Sequence, residues 1–374
     1  MKKAHIVTGG TGFVGLGLIL ELLRQTTVDI VCLVRSGKEP ADTRLYRLLH
    51  EAALAYGYDT EILQAIPQRC HAIEGDVRKE HCGVHGTFPY EIEQFWHSAA
   101  SLQHEEKDAT HLLATNVEGT KHALALARQC GATAFNYIST AYVAGQRSGT
   151  ILEALESGHE TSNFYEQTKI QAEAIVSQVT DMHVRIFRPS AVIGHSKTYA
   201  VVGSFTGIYG IMRHIHIFKS VYSKKMANGQ DQMGPMAMCV DPTLGINLIP
   251  IDWVTTQAIQ CATSSSPATI FHLTNSTPPP VGLFLQHAFG TLNLPRPIFV
   301  ESTDKLSARD TQFANFFSFF LYFMMADQLF DRTNTDQTLG RVDAGHCVME
   351  SETLEAFCRW YLPHLQRRSK QHTS

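Results

Sequence analysis

The segment KKAHIVTGGTGFVGLGLILELLRQ runs a short apolar strand into glycines at 9, 10, 12 and 15 and then into an apolar helical stretch. Few arrangements require that succession. Glycine turns tightly and lets another group approach its backbone, and a helix starting directly after the turn offers unpaired N–H groups and a favourable dipole to an anion. A secretion signal also sets basic residues, here Lys2 and Lys3, before an apolar run. A signal needs no glycine turn, however, and no small-residue cleavage site follows. The order strand, turn, helix therefore predicts a phosphate-binding turn at the edge of a sheet.

The alternation continues. HIVTG, DIVCLVR, CHAIEGD, QFWHSAA, AFNYIST and MHVRIFRPSAVIG have strand character, and the stretches between them, such as ADTRLYRLLHEAALAYG, NVEGTKHALALARQCG and NFYEQTKIQAEAIVSQV, have helical character. Short apolar strands separated by amphipathic helices predict a parallel sheet, because parallel neighbours need crossover connections. The expected fold class is α/β, a Rossmann-type doubly wound parallel sheet with a smaller C-terminal lid. Residues 1–195 form the dinucleotide-binding domain in this reading, with return segments at about 245–275, where NLIPIDWV and TIFHLTN rejoin the main sheet. Segments at about 196–244 and 276–374 form the substrate-binding lid, with TPPPVG as a hard break.

Composition narrows the function classes. A formal net charge of -4 argues against a general binder of nucleic acid or anionic membrane, so the substrate is to be sought in a site. Eight cysteines without a CxxC pair disfavour zinc and a disulfide framework, and point to a reducing cytoplasm. The nineteen histidines include no HExxH, and His214 and His216 would face opposite ways on a strand, so no metal is expected. FFSFFLYFMM, Phe316 to Met325, falls short of the ~20 apolar residues a spanning helix needs. It suits the core of the lid, or the wall of a channel for an acyl chain or aromatic substrate.

Within the turn, Gly9, Gly12 and Gly15 fit G-x-x-G-x-x-G, with Thr11, Phe13 and Val14 supplying backbone around a pyrophosphate. About 20 residues beyond, where NAD sites carry an acidic side chain for the ribose hydroxyls, stands Arg35. A guanidinium binds a 2′-phosphate through charge-assisted hydrogen bonds, which favours NADPH over NADH, with Lys38 and Arg44 as helpers. Asp76, followed by Val77, is placed to accept a hydrogen bond from the adenine amino group. Tyr165 and Lys169 stand at i and i+4 on one helix face, where the ammonium is expected to lower the phenol's pKa and make it a usable acid or base. Upstream, Thr140, with Ser139 as the weaker candidate, offers a hydroxyl to a carbonyl oxygen.

The set TGGTGFVG, LVRS with RLYRLL, FWHSAASLQH, NVEGT, YISTAYVAG, YEQTK, FRPSAVIG and NLIPIDWV resembles the extended short-chain dehydrogenase/reductase superfamily from Lys3 to about Val281. More narrowly it resembles the thioester reductase branch: reductive release domains of peptide and polyketide synthases, carboxylic acid reductases and the N-terminal part of fatty acyl-CoA reductases. The resemblance implies that Thr140 and Tyr165 contact the reacting carbonyl, and that Lys169 binds the nicotinamide ribose and tunes Tyr165. It implies Asn116 as cofactor-side support, Pro189 and Ser190 beside the nicotinamide amide, and Ala99 and Ala100 as room for the cofactor backbone. The implied reaction is hydride transfer to a thioester, giving a hemithioacetal that collapses to thiol and aldehyde, with a second round to alcohol left open.

No adenylation or carrier domain is seen ahead of the reductase, and the long C-terminal extension of fatty acyl-CoA reductases is not seen. A thioester is thus expected from a separate carrier protein or coenzyme A, and a possible homodimer follows from the superfamily. Two alternatives share fold and triad: a stand-alone reductase or dehydrogenase of a hydrophobic ketone or aldehyde, and a sugar-nucleotide epimerase or dehydratase. A non-catalytic dinucleotide sensor is disfavoured by the intact triad. Arg213, Lys219, Lys224 and Lys225 are candidate contacts for an acidic carrier or its phosphopantetheine, and the basic tail LQRRSKQHTS is expected to be a solvated terminus.

Overall fold

The computed structural model describes residues 1–103, 106–205, 207–225, 234–341 and 345–371, with side chains at 106, 223–225, 319, 322, 323 and 366–371 outside the description. Lys224, Lys225, part of the aromatic stripe and most of the basic tail thus lie outside the described side chains.

Seven parallel strands form the central sheet: β1 (Lys2–Thr8), β2 (Asp29–Val34), β3 (Cys70–Glu74), β4 (Tyr90–His97), β5 (Ala134–Ile138), β6 (His183–Pro189) and β7 (Ile270–Leu273). Their spatial order, β3-β2-β1-β4-β5-β6-β7, reverses direction at β1. In such a sheet a crevice opens at the carboxyl ends of the strands beside the reversal, and ligands bind there. Near-continuous burial along β2 and β5 explains why their sequences are almost wholly apolar, since both faces of a parallel sheet are covered by helices. Phe95, Trp96, Phe135, Phe187 and Phe271 stack from strand to strand through this core.

The helices used below are α1 (Phe13–Gln25), α2 (Ala41–Tyr56), α3 (Gly119–Gln129), α4 (Phe164–Ser177) and α5 (Ile251–Thr263). TIFHLTN supplies β7, as expected, but NLIPIDWV does not rejoin the sheet. Its strand Leu248–Pro250 lies outside the seven-stranded array, and its remainder opens α5, which packs on α1. Gly17 of α1 makes room: a Cβ there would come within 2.8 Å of the Ile251 side chain.

The chain divides into two compact units. The first comprises Met1–Ser204, Ile249–Thr274 and Phe330–Gly345, and holds the whole sheet. Arg332 ties the last of these segments down, donating to the carbonyls of His272 and Thr274 and to Gln257. The second comprises Phe205–Leu248, Asn275–Leu329 and His346–Ser374, with the helices Ile208–Lys225, Val281–Thr291 and Ser351–Gln371 packed together. Within the stripe, Phe313, Phe317, Phe320 and Met324 are buried in this unit, whereas Phe316 and Met325 are exposed. Lys219, a candidate for carrier contact, donates to the Leu292 carbonyl at 2.6 Å. Among the described residues no helix is long and apolar enough to cross a membrane.

Candidate active site

Each residue singled out in the first unit follows the carboxyl end of a strand or sits on the helix beside it. After β1 the chain turns at Gly9, whose φ of 73° falls in the left-handed region that only glycine adopts freely. A Cβ on Gly9 would lie 2.7 Å from the Ala99 nitrogen, and one on Gly15 would lie 2.1 Å from the Gly9 carbonyl oxygen. The turn closes with Gly12 N–H donating to Gly9 O at 2.9 Å. No side chain caps α1 at Gly12, so the N–H groups of its first turn, at Phe13, Val14 and Gly15, have no intrahelical partner. Bare backbone, free donors and the positive end of a helix dipole fit a pyrophosphate.

A cleft of about 560 Å³ adjoins this turn, with Thr11, Arg35, Arg44 and Asp76 among its lining residues. Arg35 follows β2, and Arg44 on α2 hydrogen-bonds the Arg35 carbonyl. Lys38 is exposed on the same loop. Asp76, expected to receive the adenine amine, lines this cleft. Arg78 clasps its carboxylate through Nε at 3.0 Å and Nη2 at 2.5 Å, holding the acid down to about 2. Val77 is buried against Gly119 at the start of α3. The sequence reading missed Arg78, whose only signal is its place two residues after Asp76.

A hydrogen-bond chain joins the glycine turn to the helix of the Y-x-x-x-K pair. Ala99 N–H donates to Thr8 Oγ1, which lies 2.8 Å from His97 Nδ1, while His97 Nε2 lies 3.2 Å from Thr120 Oγ1. Thr120 donates its own proton to Asn116 O at 2.7 Å, so it accepts from His97 Nε2–H, and Nδ1 accepts from Thr8. Burial, with the nearby Lys169 ammonium, pushes His97 down to about 3, which keeps this tautomer neutral. Asn116, on the helical turn Leu113–Glu118, accepts from Ser101 N–H and donates to Ser101 O and Thr168 Oγ1. Thr168 in turn donates to the Tyr165 carbonyl at 2.8 Å. His97 was not singled out in the sequence, although it ends the strand quoted as QFWHSAA. Ala100 is exposed beyond it.

Thr140, directly after β5, caps a short turn by accepting from Tyr142 N–H, and its side chain acts to lower the Tyr165 phenol. Lys169 is buried, donates to Ile138 O at 2.7 Å and lies 4.3 Å from the centre of the Tyr137 ring. Desolvation pulls the ammonium down to about 7 against the opposing charge of Glu173. The Tyr165 phenol is raised, not lowered as expected: burial dominates, the adjacent Glu166 adds to it, and the Thr140 side chain opposes it.

Glu166 is buried and pushed up to about 7, while its carboxylate accepts from Ser162 N–H and Asn163 Nδ2. With Asn163 Oδ1 accepting from Glu166 N–H, this is a reciprocal cap that fixes the first turn of α4 and so the phenol beside it. Pro189 ends β6, and the Ser190 hydroxyl is buried without a partner among the described residues, as is that of Ser139. An orphaned buried hydroxyl suits a ligand that brings the missing partner. Behind α4, Glu173 takes two bonds from Arg188, at 3.0 and 2.6 Å, with both side chains buried. Spacing alone did not reveal this pair.

A doubly wound sheet with reversal at β1, a glycine turn and a Thr, Tyr, Lys set define a dinucleotide-binding fold of the extended short-chain dehydrogenase/reductase type. Residues 7–258 match the model of the NAD-binding family described as male sterility protein, and the chain belongs to that family. It is 31% identical over 217 residues to glycine betaine reductase ATRR of Emericella nidulans, covering 53% of this chain and 16% of that protein. It is 28% identical over 284 residues to fatty acyl-CoA reductase wat of Drosophila melanogaster, covering 65% of this chain and 53% of that one. The chain thus spans about half of one relative's length and a sixth of the other's. The terminal R domain of the myxalamid PKS-NRPS pathway shares its fold, with a TM-score of 0.73 at 21% identity over 97% of this chain and 91% of that one.

Proposed function

We propose that the chain is an NADPH-dependent reductase acting on the carbonyl of a thioester-linked acyl group, borne by a carrier protein or coenzyme A. The observation that carries this reading is the set of Thr140, whose side chain acts on the Tyr165 phenol, and the buried Lys169 ammonium one turn along the same helix as Tyr165. It is supported by the family and by the relatives named above. The arginines of the cleft favour NADPH.

A nicotinamide cofactor supplies the hydride when bound. The pyrophosphate would lie on the bare turn of Gly9, Gly12 and Gly15, and Ser190 would meet the nicotinamide end. Thr140 and Tyr165 would hold the substrate's carbonyl oxygen between their hydroxyls, stabilising negative charge as it develops. The raised phenol keeps its proton at neutral pH and is therefore poised as the acid that gives it to that oxygen. Lys169, positively charged when protonated, stabilises the phenolate left behind. The hemithioacetal then collapses to an aldehyde and a thiol.

NADPH oxidation and free thiol measured in one vessel, across acyl-coenzyme A, acyl-pantetheine, aldehydes and ketones, test the proposal. One thiol per first hydride is the expected result. Oxidation with aldehydes or ketones but never with thioesters overturns it in favour of a stand-alone carbonyl reductase.

A further inference from the structure

The cleft beside the glycine turn carries more positive charge than a nucleotide lacking an extra phosphate calls for. Arg35, Arg44, Arg78 and Lys79 line it, against Glu74 and Asp76. Glu74 accepts from Ser36 Oγ at 3.0 Å, and Asp76 is paired with Arg78. Four cations stand against two carboxylates, so the cleft keeps a net positive charge.

Arg78 is fixed in a way that Arg35 is not. Its Nε and Nη2 lie against the Asp76 carboxylate, and its backbone N–H donates to the same group at 3.0 Å, so side chain and main chain close one ring around Asp76. A guanidinium held edge-on by a carboxylate loses little further freedom when its remaining donors meet an anion, and Nη1 has no partner among the described residues. Asp76 is thus a clamp for Arg78.

We propose that Arg78, oriented by Asp76, determines cofactor specificity by binding the 2′-phosphate of the adenosine ribose together with Arg35 and Arg44. This rests on the NADPH reading above. The three guanidinium groups reach one cleft from the loops after β2 and β3 and from α2. Three such groups suit a phosphate dianion, whose three oxygens each take charge-assisted hydrogen bonds, and exceed what a ribose diol needs.

The test is calorimetric titration of the full chain with 2′,5′-ADP and with 5′-ADP, which need no turnover. The unaltered protein is expected to bind 2′,5′-ADP at least tenfold more tightly, a margin of one charge-assisted contact. Arg78→Ala should lose roughly tenfold for 2′,5′-ADP and leave 5′-ADP unchanged, as expected for one contact to a charged group. Arg78→Lys should fall between, keeping the charge without the fork. Asp76→Asn should weaken 2′,5′-ADP alone by releasing the clamp, with unchanged circular dichroism showing that the fold is intact. Equal loss for both nucleotides upon Arg78→Ala would assign Arg78 to the adenine and overturn the proposal, as would no loss for either. No preference in the unaltered protein would overturn the NADPH reading itself, and the proposal with it.

Discussion

Replacing Glu173 by Gln tests how the sheet and α4 are held together behind the Y-x-x-x-K pair. Arg188 is 0% exposed and Glu173 1%, and the guanidinium donates to the carboxylate at 3.0 and 2.6 Å. Gln keeps the volume but removes the charge, and stranding one member of a buried pair costs about 3–5 kcal/mol. A partial substitute exists: Glu156 lies 3.8 Å from Arg188, but Arg147 already holds it at 2.5 Å. The lower end, about 3 kcal/mol, is therefore expected. At roughly 2–4 °C per kcal/mol for a unit of this size, the midpoint of thermal unfolding should fall by about 6–12 °C in differential scanning calorimetry. The double replacement Glu173→Met with Arg188→Met should cost less than Glu173→Gln, because no charge is left unpaired. A fall of under about 2 °C for Glu173→Gln, against the ~3 kcal/mol argued here, would refute the assignment of Arg188's charge to Glu173.

Three other outcomes follow from the same geometry. Tyr165→Phe should cut turnover by about 10²–10⁴ while leaving cofactor affinity within twofold, measured by steady-state kinetics and by NADPH fluorescence titration. Gly15→Ala sets a Cβ 2.1 Å from the Gly9 oxygen, so fluorescence titration should show cofactor binding lost. In the cofactor-free protein Lys169 titrates near 7 instead of 10.5, so between those values the unfolded chain binds a proton that the folded chain has released. Stability should therefore rise with pH across that window, and Lys169→Met should flatten the rise in urea titrations at pH 6 and pH 9.

Local chemistry carries the parts of this protein that depend on neighbours in the chain. The strand and helix alternation, the glycine turn and the spacing of Tyr165 to Lys169 are set by backbone sterics and by helical periodicity, so they are legible in the letters. Gly9 is such a case, because a left-handed φ and a contact with Ala99 leave no room for a side chain. Partners distant in the chain are another matter. The neutral His97 between Thr8 and Thr120 and the buried Glu173 and Arg188 pair arise because folding brings strands and helices together across 15 to 89 residues. The same holds for protonation. Proximity in sequence suggested that Lys169 lowers the Tyr165 phenol, but burial of the phenol, with Glu166 beside it, reverses the sign. The residue types of the chemistry follow from the order of amino acids, whereas their charge states follow from burial, which exists only once the chain has packed.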